Sequence, residues 1–292
     1  MIRKWKIKVN QKKHKWNYIL QINDEVSFPE DISAQLHTFE SLRNKKQDKL
    51  LAEKLENLKI YEDENWFVIN KESWTPMHPG KKNENKLTVS QLIKNYFDTW
   101  FSTFTPMFAY RLDRFTTWVV LIGKNYPALK YINSLIRNRK TQKIYLAAVF
   151  WDFPEEKEID FSLKKFYDNK LWVSRVINDD KNGDTARTHA TKLETTHLDQ
   201  IWTVSLLKIT ISTWRMHQIR AHLSMIWYPI LWDLLYLGNQ RLNSILTRNH
   251  KINNQMLHCY RYLFYDKFKG KKVMFEAMPP ESFRKNFNKL NG

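Results

Sequence analysis

Strand-like runs outnumber helix-like ones in this chain, and the two do not alternate regularly. Residues 66–70, 107–112, 118–123, 142–149, 185–193, 201–212, 257–265 and 272–277 are rich in apolar, β-branched and aromatic residues. The amphipathic candidates for helices are 88–98, 126–138, 215–226 and 281–289. A doubly wound sheet needs a helix after nearly every strand. This order predicts instead an α+β domain around a mixed, largely antiparallel sheet. No internal repeat is present.

The pattern divides the chain into three parts. Residues 1–29 hold short strand-like pieces at Lys6–Val9, Tyr18–Gln21 and Glu25–Phe28, with a turn at Asn23-Asp24 before the last. Residues 30–57 are polar and charged, with Leu36, Phe39 and Leu42 as a thin apolar stripe, and read as a solvated helical linker. Residues 58–292 form the main domain. With 42% hydrophobic and 14% aromatic residues, the chain can bury a substantial core. Its net charge of +18 favours a polyanionic partner, nucleic acid before membrane. The single cysteine, Cys259, excludes an internal disulfide and fits a reducing, cytoplasmic setting. Met1–Val9 is basic and lacks the apolar centre of a signal peptide. The apolar run Tyr145–Trp151 is far too short to span a membrane.

Three ordered segments carry chemistry. The first is Ala109-Tyr110-Arg111-Leu112-Asp113-Arg114-Phe115-Thr116-Thr117, followed by the apolar run from Trp118. It sets one carboxylate, Asp113, between two arginines and near two hydroxyls. A carboxylate held by cations stays ionised and can act as a nucleophile. The second is Gln142-Lys143-Ile144-Tyr145-Leu146-Ala147-Ala148-Val149. The third is Thr213-Trp214-Arg215-Met216-His217-Gln218-Ile219-Arg220-Ala221-His222-Leu223. A lone aspartate after a strand is most often a turn or cap residue. Three such segments in one order say more.

Together these segments resemble the signatures of the RluA family of pseudouridine synthases: HRLDxxTSGLLL, KxYxAxV and TGRxHQIRxHL. Tyr110 stands where His is usual. The downstream Tyr228-Pro229-Ile230-Leu231-Trp232-Asp233 and Leu257-His258 continue the family's GxPIxGD and LHA patterns. The resemblance implies an isomerase that converts specific uridines of structured RNA to pseudouridine, with ribosomal large-subunit RNA as the expected substrate and no cofactor or metal. It implies Asp113 as nucleophile, Tyr145 as the tyrosine that stacks on the base and relays a proton, and Arg220 as the ion-pair partner of Asp113. Arg111 is the expected filler of the gap left by the extruded nucleotide, and Ile219 packs beside the uracil. Arg215, His217 and Gln218 are expected to line the substrate site. His217 and His222 are poor joint metal ligands, because a spacing of five places them about 140° apart on a helix.

Residues 1–29 resemble the second half of the αL-type RNA-binding module found in a small-subunit ribosomal protein and in many pseudouridine synthases. The helical first half is missing. Either Met1 is not the true start or the module is degraded. The resemblance implies a monomeric, cytoplasmic enzyme of rRNA modification. Two rivals are a catalytically impaired RNA-binding protein on the same fold and a glycosidase. The hydrolytic pair of carboxylates is absent around Asp113, which disfavours the second.

Glycine and tryptophan are unusually balanced. There are 6 Gly and 12 Trp, where roughly 7% glycine would give about 20. Trp74, Trp118, Trp214 and Trp232 stand where the resembled motifs have Gly, and Trp5, Trp151 and Trp227 are further cases. Trp66 reads as an ordinary strand residue. Either these positions are glycines encoded by UGA and translated with the wrong code, or they are aromatic platforms for bases.

Overall fold

In the computed structural model, residues 8–12, 24–27, 45–79, 87–97, 104–110, 113–169 and 172–290 are described. The chain divides into two compact units, Met1–Leu51 and Ala52–Gly292.

In the first unit, β1 (Lys8–Val9) pairs antiparallel with β2 (Val26–Ser27). The Asn10 side chain locks the pair. Its Nδ2 donates to Asp24 Oδ1 at 2.6 Å, and its Oδ1 accepts from the Glu25 N–H at 2.8 Å. The expected piece Tyr18–Gln21, the stripe Leu36, Phe39 and Leu42, Trp5 and Arg111 lie outside the described residues. Helix α1 (Lys45–Asn57) falls at the end of the segment expected to be helical.

The second unit is built on a ten-stranded sheet. Its strands are β3 (Lys59–Glu62), β4 (Trp66–Lys71), β5 (Met107–Phe108), β6 (Thr117–Gly123), β7 (Thr141–Phe150), β8 (Glu156–Asp160), β11 (Arg187–Leu198), β12 (Trp202–Ile211), β13 (Leu257–Asp266) and β14 (Lys271–Glu276). Their order is β3-β4-β6-β13-β7-β12-β11-β8, with β5 beside β6 and β14 beside β13. Every pairing is antiparallel except β6 with β13, where Thr117 and Trp118 lie opposite His258 and Cys259. The sheet is therefore mixed and largely antiparallel, as the segment order predicts. β4 and β7 are buried along most of their lengths, which explains their near-continuous apolar runs.

Helices flank the sheet where their caps dictate. Thr88 caps α2 (Val89–Tyr96) in a reciprocal box with Gln91. Asn125 caps α3 (Tyr126–Arg137), which has Pro127 in its first turn. α4 (Gln218–Met225) starts three residues later than the periodicity predicts, so Arg215 and His217 lie in the approach to the helix rather than on its face. Its first residues are buried on all sides, which removes the polar face that would mark the boundary. α5 (Gln240–His250) and α6 (Glu281–Arg284) complete the helices, and a 3₁₀ turn (Asn288–Leu290) follows. The expected helix 281–289 is thus broken in two.

A separate hairpin, β9 (Leu163–Asp168) with β10 (Val173–Asn178), packs behind α4. Leu163 and Val176 form a small buried cluster with Ala186 and Ala221, and Met225 and Tyr236 lean on it. β9 exposes most of its side chains, β10 leaves most of its own at least half-buried, and neither carries an apolar alternation to read.

Candidate active site

Asp113 sits in the loop between β5 and β6. The loop closes on itself, with the Thr116 N–H donating to the Asp113 carbonyl at 3.2 Å. It is also held from beneath. Lys71, buried at the end of β4, donates through Nζ to the carbonyls of Glu72 at 2.8 Å, Thr116 at 3.0 Å and Arg114 at 3.3 Å. Ser73 Oγ donates to the Phe115 carbonyl at 2.9 Å. A buried cation with several carbonyl acceptors fixes a loop better than surface contacts would.

Arg220 comes from the first turn of α4 and is 5% exposed. Its Nη1 donates to Asp113 Oδ2 at 2.7 Å. Its Nε and Nη2 grip Asp233, at 2.8 Å to Oδ2 and 2.9 Å to Oδ1. Asp233 is 1% exposed. It also accepts from Gln255 Nε2 at 2.7 Å and from the N–H groups of Leu235 and Tyr236, each at 3.0 Å. The charges settle as this geometry requires. Burial opposes ionisation of both Arg220 and Asp233. Their mutual attraction outweighs it, raising the arginine pKa and lowering that of the aspartate. One guanidinium thus serves two carboxylates, and the trio keeps one net negative charge.

That charge faces a cleft of about 670 Å³, lined by Asp113, Tyr145, Ile219, Arg220, Trp214 and Met77 among others. The volume suits a small ligand or one nucleotide. Among the described residues, Asp113 Oδ1 accepts no hydrogen bond, and His217 Nε2 lies 3.6 Å away, beyond bonding distance. Burial lowers the His217 pKa, so the ring is neutral at pH 7. Tyr236 Oη accepts from the Val176 N–H at 2.9 Å and lies 3.1 Å from His217 Nδ1. With the tyrosine donating to Nδ1, the ring proton sits on Nε2, facing Asp113.

Tyr145 lies on β7, opposite Ile209 on one side and Cys259 on the other. Burial raises its pKa far above the ordinary range and keeps the phenol neutral. Ile219 is buried against the cleft. Arg215 donates through Nε to the Thr185 carbonyl at 3.2 Å and lies near Asp184. Gln218 also borders the cleft, but its amide is committed to the protein. Its Oε1 accepts from Thr213 Oγ1 and the Arg215 N–H, and its Nε2 donates to the Arg187 carbonyl and Thr188 Oγ1. It holds the turn before α4 against β11. Tyr110, in place of the usual histidine, donates to the Val119 carbonyl at 3.1 Å and stacks on Tyr262. His222 lies 3.0 Å from Thr188 Oγ1 and 3.2 Å from the Phe161 carbonyl, committed to polar partners away from Asp113.

The structure thus brings Asp113, Tyr145, His217, Ile219 and Arg220 to one cleft. Sequence reading gave no role to Lys71, Asp233, Tyr236 or Gln255. Asp233 had a signal, as the acid closing the segment Tyr228–Asp233.

Comparison with known proteins bears on this cleft. The sequence model described as RNA pseudouridylate synthase matches residues 65–225, more than half of the chain, and spans Asp113, Tyr145 and Arg220. The chain belongs to this family. The synthase is therefore an isomerase of the RluA type. It is 31% identical to the ribosomal large subunit pseudouridine synthase C of Buchnera aphidicola subsp. Schizaphis graminum, over 98% of this chain and 86% of that one. It is 28% identical to the protein of the same name from Vibrio vulnificus, over 90% of this chain and 78% of that one. Its fold matches human RNA pseudouridylate synthase domain containing 4 with a TM-score of 0.64 at 19% identity, covering 85% of this chain and 98% of that one. Among the described residues, no helix is long and apolar enough to cross a membrane.

Proposed function

We propose that the synthase isomerises uridines of large-subunit ribosomal RNA, with Asp113 as nucleophile. The observation that carries this reading is the Asp113 carboxylate. Arg220 holds it through one oxygen, the other is open to the cleft, and Tyr145 lines the same space. Asp113 either attacks C1′ and displaces the uracil as its N1 anion, or takes the C2′ proton so that the anion leaves a glycal. The base turns and C5 bonds to C1′, releasing the Asp113 carboxylate or recovering the C2′ proton from it; N1 gains a proton and the C5 proton is lost to solvent. Tyr145, neutral and buried, stacks on the base and relays the C5 proton through its hydroxyl. Ile219 packs on the uracil, and His217 and Arg215 line its approach. Arg111 fills the gap left in the RNA, where extrusion costs a few kcal/mol.

The names of the relatives support the ribosomal substrate, and the net charge of +18 suits an RNA partner. A monomer working in the cytoplasm completes the reading, and the buried free thiol of Cys259 fits a reducing compartment. The test is large-subunit RNA labelled with tritium at C5 of uridine. Release of tritium with retention of the base in the RNA supports the proposal. Binding without release points to a non-catalytic RNA-binding protein. Release of free uracil points to a glycosidase.

A further inference from the structure

Tryptophan in this protein is concentrated where only glycine sits comfortably. Among the described residues, twelve non-glycine residues have positive φ, and six of these are Trp. They are Trp74 (69°), Trp151 (73°), Trp172 (54°), Trp202 (79°), Trp227 (69°) and Trp232 (60°). No described Phe or Tyr does so, although the chain has 17 Phe and 13 Tyr. A preference for aromatic side chains would spread over all three types. Left-handed backbone is uncommon for any residue with a Cβ, and for a bulky one it is an outlier. Their contacts are made largely at the surface, Trp74 against Phe115 and Trp151 against Trp202. Trp227 is 82% exposed, and Trp74, Trp151, Trp172 and Trp202 are exposed as well.

Two of these turns have a shape that assigns the residue. After α4, the Trp227 N–H donates to the Ser224 carbonyl at 3.1 Å, and the Tyr228 N–H to the Leu223 carbonyl at 2.9 Å. This is the Schellman closure of a helix, and its left-handed position is the usual seat of glycine. At the second turn, the Asp233 N–H donates to the Ile230 carbonyl at 3.2 Å. Trp232 is the third of its four residues and has positive φ, a position that also calls for glycine. That turn delivers Asp233 to Arg220.

We propose that these six residues are glycine in the protein as its own cell makes it, encoded by UGA codons that the cell reads as glycine. The set differs from the motif-based expectation. Trp172 and Trp202 join it on their backbone alone. Trp118, within β6, and Trp214, before α4, lack positive φ and fall outside the proposal. Trp66 serves as the control. It is a buried β4 residue whose Nε1 donates to Asp266 Oδ2 at 2.8 Å, a role glycine cannot fill.

The test is the gene and the native peptides together. UGA is expected at all six positions and UGG at Trp66, with glycine in peptides from native cells at the six. A UGG codon at any of the six, or Trp in a native peptide there, overturns the proposal. Stability gives a second reading. Trp227→Gly and Trp172→Gly should each raise Tm by about 2 °C or more, while Trp66→Gly should lower it. A lower Tm for both of the former pair would also overturn the proposal.

A second inference stands on a different observation, a buried lysine without an anion. Lys143 is 4% exposed. Its Nζ lies 3.3 Å from the ring centre of Trp214, 4.7 Å from Tyr110 and 5.2 Å from Tyr262. Among the described residues it has no carboxylate partner. It lines a cavity of about 800 Å³ with Arg137, Arg139, Arg187 and Arg215. Arg187 and Arg215 have acidic neighbours in Asp160 and Asp184, and no carboxylate pairs with Arg137 or Arg139 among the described residues. Tyr110 and Trp214 wall this cavity from the catalytic cleft and line both. A buried ammonium without an anion gives up its proton readily, and an entering phosphate supplies the charge that keeps it protonated. We infer that the cavity takes a backbone phosphate of the RNA beside the target nucleotide, an inference that rests on the RNA reading above.

The test compares the intact synthase with Lys143→Gln and Arg139→Gln. Each variant should raise the RNA KM about tenfold with kcat nearly kept, and lower the slope of log affinity against log salt by about one. Lys143→Arg should keep the slope. Turnover by the parent protein with unchanged KM and slope in both Gln variants overturns the cavity assignment alone. Failure of the parent to bind RNA overturns the RNA reading and this inference with it.

Discussion

Arg220 reaches Asp113 with a single nitrogen, Nη1 at 2.7 Å from Oδ2, and commits Nε and Nη2 to Asp233. Asp233 thereby orients the guanidinium, and Asp113 is held through one oxygen only. A bidentate grip on Asp113 would have occupied both carboxylate oxygens and left none for the ribose.

Asp113→Asn replaces that carboxylate with a neutral group of nearly the same shape. Turnover should fall by at least about a thousandfold, the scale seen when a nucleophile is removed. Affinity for RNA should change little. Tritium release and a binding titration measure the two, and recovery of a tenth of normal turnover would remove Asp113 from the central role.

Asp233→Asn leaves Arg220 buried with a weakened partner. Breaking a buried pair in this way costs about 3–5 kcal/mol. Denaturant unfolding should show that loss, and turnover should fall because Arg220 is then free to reorient. Arg220→Met should do the same from the other side, since it strands Asp233. Normal stability in both variants would show that the pair carries no structural role.

Tyr145→Phe keeps the ring and loses the hydroxyl. Detachment of the base should survive better than release of the C5 hydrogen. Equal loss of both steps, followed in single-turnover reactions, would leave Tyr145 with a packing role only.

Through Lys143, stability should rise with pH between about 7 and 9. Burial lowers the ammonium pKa of Lys143 from its ordinary 10.5 to about 7 in the folded protein. Within that window the unfolded chain binds a proton that the folded chain does not, so raising the pH favours folding. Lys71 is lowered in the same way, against the pull of Asp113. Its three carbonyl acceptors make Lys143 the cleaner probe. Cys259, near Lys143, has its thiol pushed up by burial and acts in the opposite sense above about pH 9, where the unfolded thiol ionises and the folded one does not. Urea unfolding at pH 7, 8 and 9 should show the rise, and Lys143→Met should flatten it.

The heart of the site was legible in sequence because Asp113, Tyr145 and Arg220 each lie in a segment of recognisable pattern. Asp233 was visible as a letter in such a segment, but its role depends on a turn that aims it back at Arg220. Lys71 reads as the polar end of a strand, and only the fold shows three carbonyls converging on its Nζ. The β9–β10 hairpin escaped because apolar residues fall on its exposed positions as well, Phe166, Tyr167 and Ile177 among them, so no alternation marks a buried face. α5 escaped because it buries only Asn243 and Leu246, too little to mark a period. The start of α4 was misplaced because burial on all sides of its first turn erased the amphipathic edge.

In the sheet, β13 lies between β6 and β7 and joins them. The strand that follows the Asp113 loop and the strand that carries Tyr145 are therefore neighbours only through residues 257–266. As the chain emerges during synthesis, both halves of the cleft are present long before the strand that unites them. A nascent chain halted before Leu257 would hold Asp113 and Tyr145 without the shared sheet that brings them to one cleft. Long-range closure of this kind is slow. The cleft thus cannot be complete until residues 257–266 have taken their place in the sheet.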